Sequence, residues 1–175
     1  MSLSADANNS SANLIAVWRA LEEVSDPEIP VLTVVDLGVV RDVRPHENDT
    51  GVTVVITPTY SGCPAMNTIE INIKAVLQEH GFDPVNVETV LSPAWTTDWL
   101  SAEGRRKLQE YGIAPPEHGA AEVNKLSLFS EGRKVTCPRC QSRNTQMVAQ
   151  FGSTACKSLY RCLDCLEPFD YFKCH

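Results

Sequence analysis

The chain is poor in the parts from which oxidative and nucleotide-dependent enzymes are built. It has only four histidines in 175 residues. None forms the Glu-x-x-His pair with which facing helices hold a diiron centre. No glycine fingerprint for a dinucleotide and no P-loop is present, so NAD binding in the usual way and ATP hydrolysis have no basis in the sequence. No apolar run approaches the ~20 residues that cross a bilayer, so no membrane partner is expected. The opening stretch MSLSADANNSSAN has neither a basic n-region nor an apolar core. It reads as a disordered tail rather than a secretory signal, and a cytoplasmic, thiol-reducing setting is expected.

Positive charge is also scarce, and unevenly so. Residues 1–130 hold 8 Lys+Arg against 18 Asp+Glu, whereas residues 131–175 hold 7 against 4. An acidic body disfavours phosphate backbones, so no nucleic-acid partner is expected there. The basic end, with Arg133, Lys134, Arg139, Arg143, Lys157 and Arg161, keeps a nucleic-acid reading open only for itself.

Cysteine is what the chain does have: seven, six of them from residue 137 onward. Cys137-Pro-Arg-Cys140 and Cys162-Leu-Asp-Cys165 are two C-x-x-C hooks. Two intervening residues let both sulfurs of a hook face one ion around a tight turn, and two hooks complete a sulfur tetrahedron. The segment between them alternates and carries a central Gly152-Ser153, the layout of a zinc ribbon. So short a segment cannot bury a self-sufficient core, and the metal would supply much of its folding energy. A rubredoxin-like iron site uses the same ligands, and a redox pair is the alternative for a single hook. Four thiolates leave no open position, so the site is structural. Cys156 and Cys174 fall outside the hooks and read as small buried hydrophobes or spare thiols.

The seventh thiol stands alone, in TYSGCPAM between a strand-like and a helical run. Pro64 favours the first turn of a helix, which makes Cys63 the expected N-cap of a helix over Met66–His80. Unpaired amides and the helix dipole there would stabilise a thiolate. A buried, inert cysteine is the alternative. No histidine motif accompanies Cys63, so a Cys-His hydrolase is poorly supported.

Along the chain, Leu14, Val17, Trp18, Leu21 and Val24 recur at helical spacing, and the prolines of SDPEIP stop that helix. Strands are read near Val39–Val43, at Val52–Thr57 and in PVNVETVLS. Met66, Ile69, Ile73, Val76 and Leu77 form one stripe with Gly81 as the C-terminal cap. A shorter helix covers Ser101–Tyr111, with Gly104 as a weak point. Asp26, Glu28 and Asp36 read as turn or cap residues, or as acidic groups near Cys63. Trp95 and Trp99 read as local packing rather than a recognition platform. The organisation expected is a tail over 1–12, an α+β domain over 13–114, a linker over 115–134 and a four-cysteine zinc ribbon over 135–175.

Three stretches together, SDPEIPVLTVVDLGVV, TPTYSGCPAMNTIEINI and LSPAWTTDWLSAEGRRKLQEYGIAPP, resemble the PaaD family of bacterial phenylacetate degradation. The first two alone are similar to the wider iron–sulfur assembly domain family that includes SufT. The resemblance implies a compact α+β domain with a small mixed sheet and packed helices, to which the C-terminal zinc ribbon is an addition. It implies partnership with the phenylacetyl-CoA epoxidase, whose reductase carries flavin and a [2Fe–2S] cluster. It marks Asp26, Glu28, Asp36 and Cys63, with Thr57 and Thr59 before the cysteine, as site residues. On this reading Cys63 transiently holds iron or an iron–sulfur cluster. A cluster, as distinct from iron alone, could be shared across a homodimer, because one thiol cannot supply the four ligands of a [2Fe–2S] centre. The expected role is an accessory or maturation factor without activity of its own; the alternative is a non-catalytic structural subunit of the epoxidase.

Overall fold

The computed structural model describes residues 6–46, 50–117 and 135–173. The chain divides into two compact units, Met1–Trp95 and Thr96–His175.

The first unit opens with α1 (Asp6–Leu21). This helix starts inside the stretch expected to be a disordered tail; residues 1–5 lie outside the described residues. Once its apolar stripe is anchored by Val17, Ala20 and Leu21, each added residue contributes a backbone bond without a new nucleus. Three strands follow, β1 (Val40–Pro45), β2 (Val52–Ile56) and β3 (Val85–Thr89), with α2 (Ala65–Glu79) crossing between the last two. The sheet order is β1-β2-β3, β1 antiparallel and β3 parallel to β2. That is the small mixed sheet expected.

The central strand reads VTVVI because both its faces are covered: Val54 and Ile56 are fully buried, and Val52 and Val55 nearly so. From α2, Ile69, Ile73 and Leu77 supply the buried stripe. Each such Ile or Leu contributes roughly 1.5–3 kcal/mol by leaving water. Gly81, at φ +88°, ends α2. Its amide donates to the Gln78 carbonyl and that of Phe82 to Leu77, the paired closure that a left-handed glycine permits.

The second unit begins with a 3₁₀ turn at Thr97–Trp99, then α3 (Ala102–Tyr111) and β4 (Ile113–Ala114). Ser101 caps α3, its Oγ accepting from the Gly104 amide at 2.8 Å. Gly104 is therefore part of the cap and is buried, not a weak point. The remaining strands are β5 (Thr145–Ala149), β6 (Lys157–Cys162) and β7 (Pro168–Phe172), in a sheet of order β4-β7-β6-β5. β5 and β6 pair antiparallel across Gly152-Ser153 as expected.

The division at Trp95 differs from the boundary expected after residue 114. Residues 96–114 pack with the ribbon because Ile113 and Ala114 pair with Asp170 and Tyr171 of β7. Of the expected linker, residues 118–134 lie outside the described residues, as do Arg133, Lys134, Cys174 and His175. No helix among the described residues is long and apolar enough to cross a membrane.

Candidate functional site

The two hooks meet. The Sγ atoms of Cys137, Cys140, Cys162 and Cys165 all lie within 4.8 Å of one another. Cys137 to Cys165 is 3.8 Å and Cys140 to Cys162 is 3.5 Å. Four sulfurs about 2.3 Å from a central zinc stand about 3.8 Å apart along each edge, so the donor set fits that ion. The hooks are held as turns by the chain itself. The Cys137 amide donates to the Ser142 carbonyl, and the Gln141 amide to that of Cys137. Asp164, in the second hook, accepts from Ser142 Oγ at 2.5 Å and from Asn144 Nδ2 at 2.7 Å. Cys137 and Cys162 belong to one buried cluster with Ala114, Val135, Tyr160, Phe169 and Tyr171, and Cys165 packs against it. Tyr160 stacks on Phe169 at 5.9 Å and meets the edge of Tyr171 at 5.7 Å.

Packed this closely, the thiols perturb one another. The Cys165 amide pulls the Cys162 thiol down to about 7. The Glu167 amide pulls Cys165 the same way, but burial and sulfur–sulfur hydrogen bonds outweigh it and push that thiol up to about 12. Cys140 is also raised: its bond from the Ser142 amide is outweighed by Cys162, burial and Cys137. A dication would replace the shared protons and remove this conflict.

In the first unit, the sequence-marked residues lie on loops joined by backbone bonds. Asp26 is buried, and its Oδ1 accepts from the amides of Glu28 at 2.9 Å and Ile29 at 2.7 Å. It organises the DPEIP turn, and the half-buried Glu28 contributes an amide to it. An isolated bridge between Ser25 and Thr33 leads from that turn into the next. There Asp36, also buried, closes a single helical turn. Asp36 Oδ2 accepts from the Thr33 amide and Thr33 Oγ1 from the Asp36 amide, a reciprocal cap. Gly38, at φ +64°, ends the turn, and the Val39 amide donates to the Val34 carbonyl. Trp95 donates its indole N–H to the Leu37 carbonyl at 2.9 Å. The expectation that Trp95 is a packing residue holds, and the bond adds a function the sequence did not signal.

This turn arrives at the carboxyl end of β2. The Thr57 amide donates to the Val39 carbonyl, and the Val90 amide to that of Ile56. Thr57 is fully buried, and its Oγ1 has no hydrogen-bond partner. The loop then runs through the half-buried Thr59 to Gly62, at φ +82°, and Cys63, also half-buried. The Cys63 amide donates to the Tyr60 carbonyl, and the Met66 amide to that of Cys63. The N-cap of α2 is Pro64, not Cys63, and no side chain caps the helix. Pro64 already has helical dihedrals (φ −68°, ψ −21°), so Cys63 closes the first turn through its carbonyl and its sulfur is left out of the cap. The four sulfurs of the ribbon are the sole metal-holding group of three or more ligands among the described residues; none forms around Cys63. Cys156 is buried, with its sulfur 3.0 Å from Thr154 Oγ1, as a packing thiol would be.

Comparison with known proteins agrees with this architecture. Residues 15–90 match the iron–sulfur cluster assembly protein family, and residues 121–173 match the PaaD zinc beta ribbon domain. A crystal structure of the domain of unknown function DUF59 from Bacillus anthracis is similar at 30% identity and a TM-score of 0.55. It covers 59% of this chain and 97% of its own. An Escherichia coli (strain K12) protein, named as one of the putative subunits of 1,2-phenylacetyl-CoA epoxidase, is 48% identical over 158 residues, 90% of this chain and 91% of that one. With an iron–sulfur assembly domain followed by this ribbon, and with that relative matched along nearly its whole length, the chain belongs to the PaaD family.

Proposed function

We propose that the chain is an accessory maturation factor for the multicomponent phenylacetyl-CoA epoxidase, acting in the cytoplasm on its flavin/[2Fe–2S] reductase and catalysing no epoxidation itself. The observation that carries this reading is the carboxyl edge of β2. There a half-buried thiol stands on a glycine turn, and a buried threonine hydroxyl lacks a partner. A buried hydroxyl left unpaired costs about 1–3 kcal/mol, and such groups commonly mark a place where something else binds. Iron, or an iron–sulfur cluster, is the cargo. Cys63 supplies one thiolate, and Asp36 joins as an oxygen ligand or tunes the sulfur. A second copy supplies another Cys63, because one sulfur cannot hold a [2Fe–2S] centre. Thr57 and Thr59 offer hydroxyls beside the cargo; Asp26 and Glu28 hold the neighbouring turn. Release is a ligand exchange: a cysteine of the recipient replaces Cys63 on iron and its proton passes to the Cys63 sulfur, with no change of oxidation state. The ribbon, with zinc on Cys137, Cys140, Cys162 and Cys165, serves as the docking module.

The test is co-expression of the reductase with wild-type chain or with Cys63→Ser, followed by iron and sulfide counts and the [2Fe–2S] absorbance. Cluster content falls with the variant if the reading is right; undiminished loading removes it. The relative's name favours a second reading, a structural subunit of the epoxidase without cargo. Stoichiometric copurification with active oxygenase supports that reading, and full epoxidase activity from the other, matured components alone excludes it.

A further inference from the structure

Residues 91–120 fall in neither of the two matched domains. The structure gives much of that stretch a place. We infer that residues 96–117 are an obligatory part of the metal-built module, so that loss of the ribbon's ion unfolds α3 and β4 as well as the hooks. The inference stands apart from the cargo reading of Cys63.

Three observations carry it, all within the second unit. First, α3 grips a hook directly. Gln109 Nε2 donates to the Pro138 carbonyl at 2.9 Å, and Pro138 lies between the paired ligands Cys137 and Cys140. Second, β4 is only two residues long and exists by pairing with β7, Ile113 opposite Asp170 and Ala114 opposite Tyr171. Ala114 shares one buried cluster with the ligand sulfurs Cys137 and Cys162. Third, Arg105 ties both ends of the segment together: one guanidinium nitrogen donates to the Thr97 carbonyl at 2.7 Å, another to the Pro116 carbonyl. A ten-residue helix and a two-residue strand are too short to persist alone. Their order comes from a core that the ion holds closed.

Linkage makes the effect reciprocal. If the ion stabilises α3, the contact from α3 must stabilise the ion by the same amount.

Hydrogen–deuterium exchange on the full chain tests this, with zinc bound and after its removal by a chelator. Peptides spanning 102–114 and 157–172 should lose protection together, while 65–79 in the first unit keeps it. Retained protection at 102–114 when 157–172 has lost it overturns the inference; so does retained protection in both. Should the stripped protein aggregate, Gln109→Leu in the zinc-loaded chain decides the matter. Losing one hydrogen bond to the hook should speed zinc transfer to a chromophoric chelator about five-fold. An unchanged rate overturns the inference.

Discussion

Asp36 and Thr33 cap each other: the carboxylate accepts from the Thr33 amide at 3.2 Å, and the threonine hydroxyl from the Asp36 amide at 3.0 Å. Both bonds close a turn whose aspartate is buried. Asp36→Ala should therefore destabilise the first unit by about 1–2 kcal/mol, the usual cost of a lost cap. Asp36→Asn keeps an acceptor oxygen and should cost less. Urea unfolding midpoints check the order. A variant Asp36→Asn that folds well but fails to support cluster loading would separate a chemical role from the capping one.

Trp95 fixes the same turn from the far end of the first unit's sequence. Its indole N–H is the donor to the buried Leu37 carbonyl. Trp95→Phe keeps most of the apolar packing and orphans that carbonyl. The expected loss is about 1–3 kcal/mol, the penalty for an unpaired buried acceptor, read as a lower thermal midpoint.

What was legible in the sequence was what is locally encoded. The C-x-x-C hooks carry their geometry in their spacing, and the sulfurs meet as the spacing required. The stripe of Ile69, Ile73 and Leu77 fixed α2 to within a residue of the reading. Asp36, two residues before Gly38, was readable as a turn or cap residue; its partner Thr33, three residues ahead, was not singled out, though the reciprocal cap joins the two. β4 was not legible, because Ile113 and Ala114 are a strand only by virtue of β7, more than fifty residues away. The unpaired hydroxyl of Thr57 has no sequence signal either, since it depends on what packs around the end of β2.

Acid should strip the ribbon steeply. Metal-bound sulfurs carry no protons, whereas hooks that open when the ion leaves return their thiols to ordinary values of about 8.5. At neutral pH such thiols are almost wholly protonated. Binding therefore releases at least two protons per ion, and stability conferred by zinc rises with pH and is lost as pH falls. Apparent affinity should drop at least ~100-fold for each unit of pH lowered below 7. Competition titrations with a chelator between pH 6 and 7.5 measure the slope. A slope below two would mean that fewer than two protonated thiols become ligands, and would count against a four-thiolate site.

Gly62 separates the conformation of the Cys63 loop from its chemistry. It sits at φ +82°, where an L side chain is strained, yet a Cβ built there meets nothing within 4 Å. Gly62→Ala thus pays only the backbone term, about 1 kcal/mol, with no steric clash added. Gly62→Asn should be milder, because asparagine tolerates the left-handed region. If presentation of the Cys63 sulfur depends on this turn, cluster loading of the reductase should fall in the order glycine, asparagine, alanine, while Cys63→Ser abolishes it in every background. Equal loading in all three Cys63-containing chains would place the sulfur's role elsewhere than in the turn that holds it.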